Sequence, residues 1–440
     1  MKHFALWFIC LMLLACSPAQ DDLQLLHDVE RLQLANGMTF ILLPKKGVPI
    51  FAAQVRVRVG SMDESPDEHG LAHLFEHMAF KGTAQIDDFY NTLKNNGAVD
   101  LNATTSYDFT NYFVMLPSNK LELWAYMESD RLKSGSIFRD FEKEVQVILS
   151  ERQTRVENHP DGIMQETFLN FAFENSPYKN HTLGSNDEIL SHTPDKAKAF
   201  YEKYYTPSRM VVSLVGDFDV ETTKKIIQKY FGEIPAKPNT YQKIKADLHA
   251  DLPKQKTIVK PYADRFWLAY ARDAFPHPDD TTFDFLADLL CSGENSILEK
   301  KIVAEKKLAV SLSCNSASPG LRLPSYFIIS GMPAKGVQNE RVVQAIRSEL
   351  ETLMHEGVAA EEIARYKAKI EAKFIYSLQS YSGMASKLSF YESFAGDWHY
   401  LATYRQELLN MNSATLQRVL KTYFVPSHEV LLLMQQGDGL

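Results

Sequence analysis

His69-Gly-Leu-Ala-His73-Leu-Phe-Glu76-His77-Met78 places two imidazoles and a carboxylate within about one turn of a helix. At ~100° per residue, His73, Glu76 and His77 share one side, while Leu71, Leu74, Phe75 and Met78 gather on the other. One side can pack and the other can hold a metal. Just upstream, Ser65-Pro66-Asp67-Glu68 reads as the start of that helix: an N-cap Ser, a Pro at the first helical position and a Glu three residues after the cap. Gly70 then falls in the helix interior, at a cost of about 1 kcal/mol relative to Ala.

Two His at i and i+4 can each aim a ring nitrogen at one Zn²⁺, and the Glu between them can take a proton from a water at the metal. The pattern is H-x-x-E-H, the inverse of the commoner H-E-x-x-H. Such a site needs a third ligand, usually distant in sequence. The charged, 3.6-periodic segment from Phe138 to Glu157 offers Glu144 and Glu151, seven residues apart and therefore on one face with an offset of only ~20°. Spacing alone nominates either. It is equally compatible with a solvated face on which Glu151 pairs with Arg155 at i,i+4.

The chain has 440 residues, 45% hydrophobic and 23% charged, which is ordinary globular material and enough for two or three domains. A formal charge of −8 gives no support for nucleic-acid binding, and neither a Gly-rich phosphate loop nor a Cys-x-x-Cys pair occurs. Residues 1–15 carry Lys2 and then an apolar run from Phe4 to Ala15, too short to span a bilayer and suited to a signal-peptide core. Leu13-Leu14-Ala15-Cys16 resembles a bacterial lipoprotein box, which makes Cys16 the lipid-bearing first residue of the mature chain, residues 16–25 a tether, and the outer membrane the expected address. Cys291 and Cys314 remain; an oxidising compartment permits a disulfide between them, and sequence leaves the pairing open.

In chain order, Asn36-Gly37 joins two expected strands, and Phe51 to Val59 alternates as a half-buried strand leading into the metal helix. Asp87–Asn96 reads as a helix stopped by Gly97, and Asp100 to Leu116 as two β-branched and aromatic strands. Further helices are expected at 121–132, 163–173, 197–205 and 221–230, with a strand at 209–217. The Pro-rich stretch Glu233 to Tyr241 divides a first domain, residues 26–235, from a second, residues 251–440, across a linker at 236–250. The second half repeats strand (266–272), helix (280–291), strand (325–330), helices (339–356, 361–378) and a last strand (429–434), without His or Glu at the metal positions.

His73-Leu-Phe-Glu76-His77 with Phe80-Lys-Gly-Thr83 resembles the signature of pitrilysin/insulinase-type zinc metallopeptidases, which include the mitochondrial processing peptidases. Phe141-Glu-Lys-Glu144 to Glu151-Arg152 resembles their second motif, and Tyr230-Phe-Gly-Glu-Ile-Pro235 the end of their first domain. The chain looks like a short bacterial two-domain member. The resemblance implies an α+β fold of two similar domains, each an antiparallel-rich β-sheet covered by α-helices, enclosing an interdomain cavity. It implies zinc on His73, His77 and Glu151, Glu76 as general base, Glu144 as a steadying carboxylate, and Asn102, Ala103 and Thr104 on an edge strand that pairs with a peptide substrate.

One departure matters. Catalytic relatives often carry an Arg and, seven residues later, a Tyr in the second domain, and here Val303 and Val310 stand at those places. Valines cannot hydrogen-bond a peptide carbonyl. The expectation is a zinc endopeptidase of the bacterial cell envelope, on its periplasmic side, paired with a zinc-less homologous subunit that supplies Arg and Tyr. The rivals are a non-catalytic peptide-binding or scaffolding lipoprotein of the same fold, and a zinc hydrolase for a non-peptide amide.

Overall fold

The computed structural model describes residues 26–134, 139–238 and 252–437, together with 244, 246 and 248. The apolar amino-terminal run, Cys16 and its tether, Phe138 and most of the expected linker lie outside the described residues. Among the described residues no helix is long and apolar enough to cross a membrane.

Two sheets carry the chain. The first has β1 (Glu30–Gln33), β2 (Thr39–Pro44), β3 (Ile50–Val57), β4 (Val99–Thr105), β5 (Thr110–Pro117) and β6 (Met210–Gly216), in the order β1-β2-β6-β3-β5-β4. The second has β7 (Lys254–Lys260), β8 (Arg265–Arg272), β9 (Ala309–Ser318), β10 (Ser325–Pro333) and β11 (Glu429–Gln436), in the order β7-β11-β8-β10-β9. In each, one parallel pair, β2 with β6 or β7 with β11, is followed by three antiparallel pairings. The repeat therefore extends to strand order and direction, and β4 and β9 end their sheets at equivalent edges.

The helices of the first half are α1 (Leu71–Met78), α2 (Phe89–Asn95), α3 (Leu121–Ser134), α4 (Phe141–Arg152) and α5 (Pro160–Ala172), then Pro194–Tyr204 and Val220–Phe231. Most of them bury one apolar face against one side of the first sheet, in a core that includes Phe40, Val55, Phe75 and Phe200. The opposite sides of the sheets are covered reciprocally. Helix Tyr381–Phe394 of the second half lays Met384, Ala385 and Leu388 on Ile41, Ala52 and Val215, whereas α5 lays Met164 and Phe168 on Ala269, Tyr326 and Leu432 of the second sheet. At about 1.5–3 kcal/mol per fully buried large side chain, these exchanged helices bind the halves strongly.

Two polar ties reinforce them. Arg322 donates to Asp63 at 2.7 Å and 3.1 Å, and the Leu321 N–H donates to Asp108, whose other oxygen accepts from the Tyr178 hydroxyl. Cys291 and Cys314 are joined as a disulfide, with Cα atoms 5.5 Å apart, tying helix Asp280–Cys291 to β9.

Candidate metal centre

The helix that carries the site begins later than its sequence suggests. Ser65 and Glu68 form only half of a capping box: Ser65 N–H and Oγ both donate to Glu68 Oε2 at 2.8 Å, but the Glu68 N–H donates to the Ser65 carbonyl rather than its side chain, residues 66–70 are turns, and α1 starts at Leu71. The reason is tertiary. Gly70 takes a left-handed φ of +91° because residues 183–184 cross it so closely that a Cβ there would lie 2.7 Å from the Leu183 carbonyl. Gly70 is thus the N-cap rather than an interior residue. The freed N–H groups of Gly70 and Ala72 donate to the Glu64 carboxylate at 2.9 Å and 2.7 Å.

From that start the 3.6-residue period does its work: Leu71, Leu74, Phe75 and Met78 are buried in the first-sheet core, and His73, Glu76 and His77 face α4 and β4. His73 Nε2 lies 3.9 Å and His77 Nε2 3.6 Å from the same oxygen, Oε2 of Glu151. Among the described residues this is the one group of three or more His, Cys or acidic side chains whose donor atoms lie within 4.8 Å of one another. Tetrahedral zinc with bonds of ~2.0–2.2 Å separates its ligand atoms by about 3.3 Å, close to the 3.6 Å and 3.9 Å between each imidazole nitrogen and the carboxylate oxygen.

The surrounding groups suit that use. His77 Nδ1 lies 3.3 Å from Glu144 Oε2, which makes Nδ1 the protonated nitrogen and leaves the Nε2 lone pair free. Lys81 holds the other oxygen of Glu144. The choice between Glu144 and Glu151 is therefore made by position along α4: one carboxylate meets the outer nitrogen of His77 and the other meets the two inner ones. Arg155, in a widened helical turn at Gln153–Glu157, takes Glu151 Oε1 at 2.5 Å, so the i,i+4 pair and the convergence on the imidazoles exist together, one oxygen each. Burial, helped by His77, Arg155 and His181, pushes the His73 imidazole down to about 3, which keeps it neutral as a ligand must be.

Glu76 is buried beside this group but is not one of the three. Its Oε2 accepts from the Thr105 hydroxyl at 2.5 Å, and burial raises its carboxyl above the usual range against the pull of Thr105 and His77. Asn102, Ala103 and Thr104 lie on β4, paired with Phe113, Tyr112 and Asn111 of β5 on one side and with no strand on the other. Two cavities flank the site. One, of about 570 Å³, is walled by all three converging residues, by Glu76 and by residues 102–105, and reaches to His181. The other, of about 640 Å³, runs from Glu76 and His77 past Lys81 and Tyr90 to Arg139 and Asp140.

Sequence reasoning did not single out Thr105, Lys81 or His181. The first two had a weak signal, one position beyond the edge-strand triplet and one turn beyond His77. Val303 packs against the second-domain core and Val310 is exposed on β9, so neither offers the site a donor.

Residues 40–186 match the family description Insulinase (Peptidase family M16), and residues 191–370 match Peptidase M16 inactive domain. The chain is 27% identical to Zinc protease PqqE of Helicobacter pylori over 99% of this chain and 100% of that one. It is 22% identical to an uncharacterized zinc protease, YmxG, of Bacillus subtilis over 93% and 99%. A crystal structure of a protease from Helicobacter pylori superposes with a TM-score of 0.84 at 27% identity, covering 92% of this chain and 99% of that one. The periplasmic protease PqqL of Escherichia coli shares the fold at a TM-score of 0.74 and 19% identity, with this chain spanning 47% of it.

Proposed function

The chain belongs to the insulinase-type M16 peptidases, and on that premise we propose that it is a zinc-dependent endopeptidase in which His73, His77 and Glu151 hold the metal and Glu76 is the general base. The observation that carries the reading is the meeting of His73 Nε2, His77 Nε2 and Glu151 Oε2 beside a fourth carboxyl that is not used to bind. When bound, zinc supplies Lewis acidity that polarises a carbonyl and brings the pKa of a water to roughly 7. Glu76 takes the proton of the attacking water and delivers it to the amine nitrogen as the C–N bond breaks. Thr105 holds the Glu76 oxygen in place, and Glu144 holds the His77 ring. An extended substrate adds to the free edge of β4 along Asn102, Ala103 and Thr104, which brings its backbone past Glu76.

The site of action we assign is the periplasmic side of the bacterial envelope, with Cys16 lipidated and the outer membrane as the anchor. The apolar run before Cys16, the Cys291–Cys314 disulfide and the periplasmic relative support that address. The valines at 303 and 310 support a zinc-less homologous partner that contributes Arg and Tyr. They equally favour the second reading, a peptide-binding lipoprotein without turnover, because the second half matches a domain described as inactive.

Zinc content and cleavage of a quenched peptide library separate the two. The parent should hold one zinc and cleave, and Glu76→Gln should keep the zinc while turnover falls roughly 10²-fold or more. Cleavage by Glu76→Gln at the parent rate would remove Glu76 from its role, and a zinc-loaded parent that cleaves nothing with or without a partner would leave the binding reading. Full activity of the purified chain alone at nanomolar concentration would dispose of the obligatory partner.

A further inference from the structure

Val303 and Val310 bring no hydrogen-bond donor to the reacting carbonyl, so the donors that line the 570 Å³ cavity matter. Asn102, Thr104 and Thr182 line it with their own amide or hydroxyl groups, and three further donors are engaged. The Thr105 hydroxyl donates to Glu76, the Gln165 amide to the Tyr107 hydroxyl at 3.3 Å, and the Arg155 guanidinium to Glu151 from a largely exposed position. His181 is different. Its Nδ1 accepts the Leu183 N–H at 3.2 Å, and in a neutral imidazole that leaves the proton on Nε2. Among the described residues Nε2 has no hydrogen-bond partner, and His181 lines the same cavity as His73, His77 and Glu151. Resting on the peptidase reading above, we propose that His181 is a catalytic residue whose Nε2–H donates a hydrogen bond to the carbonyl oxygen of the scissile peptide as that oxygen takes on negative charge.

The ring is held for this task. Asn180 donates to His69 Nε2 at 2.8 Å, the Gly184 N–H donates to the His181 carbonyl at 2.9 Å, and Gly184 at φ +69° packs on His69 so closely that a Cβ would meet its carbonyl at 2.7 Å. The 180–184 turn is thereby fastened to His69, the residue just before the N-cap of the metal helix. Burial, with Arg152 adding to it, pushes His181 down to about 4, so the ring stays neutral with its one N–H near neutral pH. A fixed donor of this kind acts without reorganising at the moment of reaction. No proton leaves His181. The water oxygen bonds to the carbonyl carbon, the C–N bond breaks, and the proton passes through Glu76 to the amine.

The test compares two inhibitors on the zinc-loaded chain: a phosphinic peptide, whose tetrahedral oxygens mimic the developing charge, and a hydroxamate of the same peptide, which chelates the metal through a planar group without a tetrahedral centre. His181→Leu should weaken the phosphinic peptide about 10²-fold, lower kcat by a similar factor, and leave zinc content, KM and hydroxamate affinity within about threefold of the parent. His181→Gln, which keeps an N–H, should recover at least about tenfold of the loss. If His181→Leu does not fold, His181→Ala is read by the same two affinities, with added imidazole restoring the phosphinic peptide's binding. Phosphinic affinity unchanged in the Leu or Ala variant, or falling only in step with zinc or the hydroxamate, overturns the proposal. A parent that binds zinc and both inhibitors but cleaves nothing defeats the peptidase reading instead, and the affinities still decide the part of His181.

Discussion

The two halves share a strand order, one parallel pair and a strand leading into an apolar helix, yet they end in opposite chemistry at the same place. In the first half β3 leads to α1, whose polar side opens on a cavity through His73, Glu76 and His77. In the second half β8 leads to helix Asp280–Cys291, whose polar side is closed by Arg272, itself almost wholly buried, paired with Asp280 and stacked 4.4 Å over Phe283. The sheet and its apolar face are common property. What differs is whether the buried polar groups pair off with each other or bring three donor atoms, His73 Nε2, His77 Nε2 and Glu151 Oε2, together beside a cavity. The first arrangement is a strut, and the second is a site.

The largest effect expected from breaking that contrast is at the metal. Glu151→Ala removes the oxygen that both Nε2 atoms face, and it should abolish stoichiometric zinc and with it turnover, while thermal unfolding of the zinc-free protein moves little. Zinc retained at the parent level would mean that Glu144 or another group completes the site. The matching change in the second half acts on stability and leaves the metal alone. Arg272→Met leaves Asp280 buried without its cation and should cost about 3 kcal/mol or more, read by chemical denaturation, with zinc affinity unchanged. Asp280 adds a pH signature. Burial, opposed by Arg272, pushes its carboxyl up to about 6, so between roughly pH 4 and 6 the folded chain holds a proton that the unfolded chain has released. Its contribution to stability therefore falls as pH rises through that window. Asp280→Asn should flatten the slope, and an unchanged slope would assign it to other carboxyls.

A smaller effect separates the two carboxylates of α4. Glu144→Gln keeps an acceptor near His77 Nδ1 but loses the charge that fixes that ring, so zinc affinity should fall by about 10–100-fold with zinc still bound at saturation. A loss as complete as that of Glu151→Ala would make Glu144 a direct ligand.

How much of this could be read beforehand follows the same division. The H-x-x-E-H spacing is local, so His73, Glu76 and His77 were legible as a group. By spacing Glu144 and Glu151 were legible only as a pair, because a seven-residue offset puts both on one face; the family resemblance assigned them individually, and the crossing of α1 and α4 supplies the physical reason. Strands with regular alternation, such as β3, stood out. β7 did not, being a Lys-rich edge, and neither did β9, whose Ser and Asn residues and shifted register with β10 break the two-residue period. Helix Tyr381–Phe394 was invisible for a different reason. It packs under the first sheet while burying Ser389 and Glu392 as well as Met384 and Leu388, so no clean apolar stripe marks it. His181, a lone imidazole in a loop, carries no sequence signal at all.

The start of α1 shows where such reading fails even at a strong motif, and it supplies the smallest of these tests. Ser65-Pro66-Asp67-Glu68 satisfies the local rules for a helix start, and the Glu68 side chain does reach back to the Ser65 N–H, yet the helix waits five residues because the 183–184 backbone occupies the space beside Gly70. Helix Asp280–Cys291 likewise shows no side-chain cap hydrogen bond, and its start is held instead by ion pairs, Asp279 with Arg418 and Asp280 with Arg272. Gly70→Ala puts a methyl against the Leu183 carbonyl and forces a non-glycine residue to φ +91°, so it should destabilise the chain by more than about 1 kcal/mol. The crossing strand of chain also carries His181 three residues before Gly184. Gly70→Ala should therefore weaken a tetrahedral inhibitor more than a hydroxamate, whereas equal weakening of both would mean that the methyl disturbs α1 itself and not the turn laid across it.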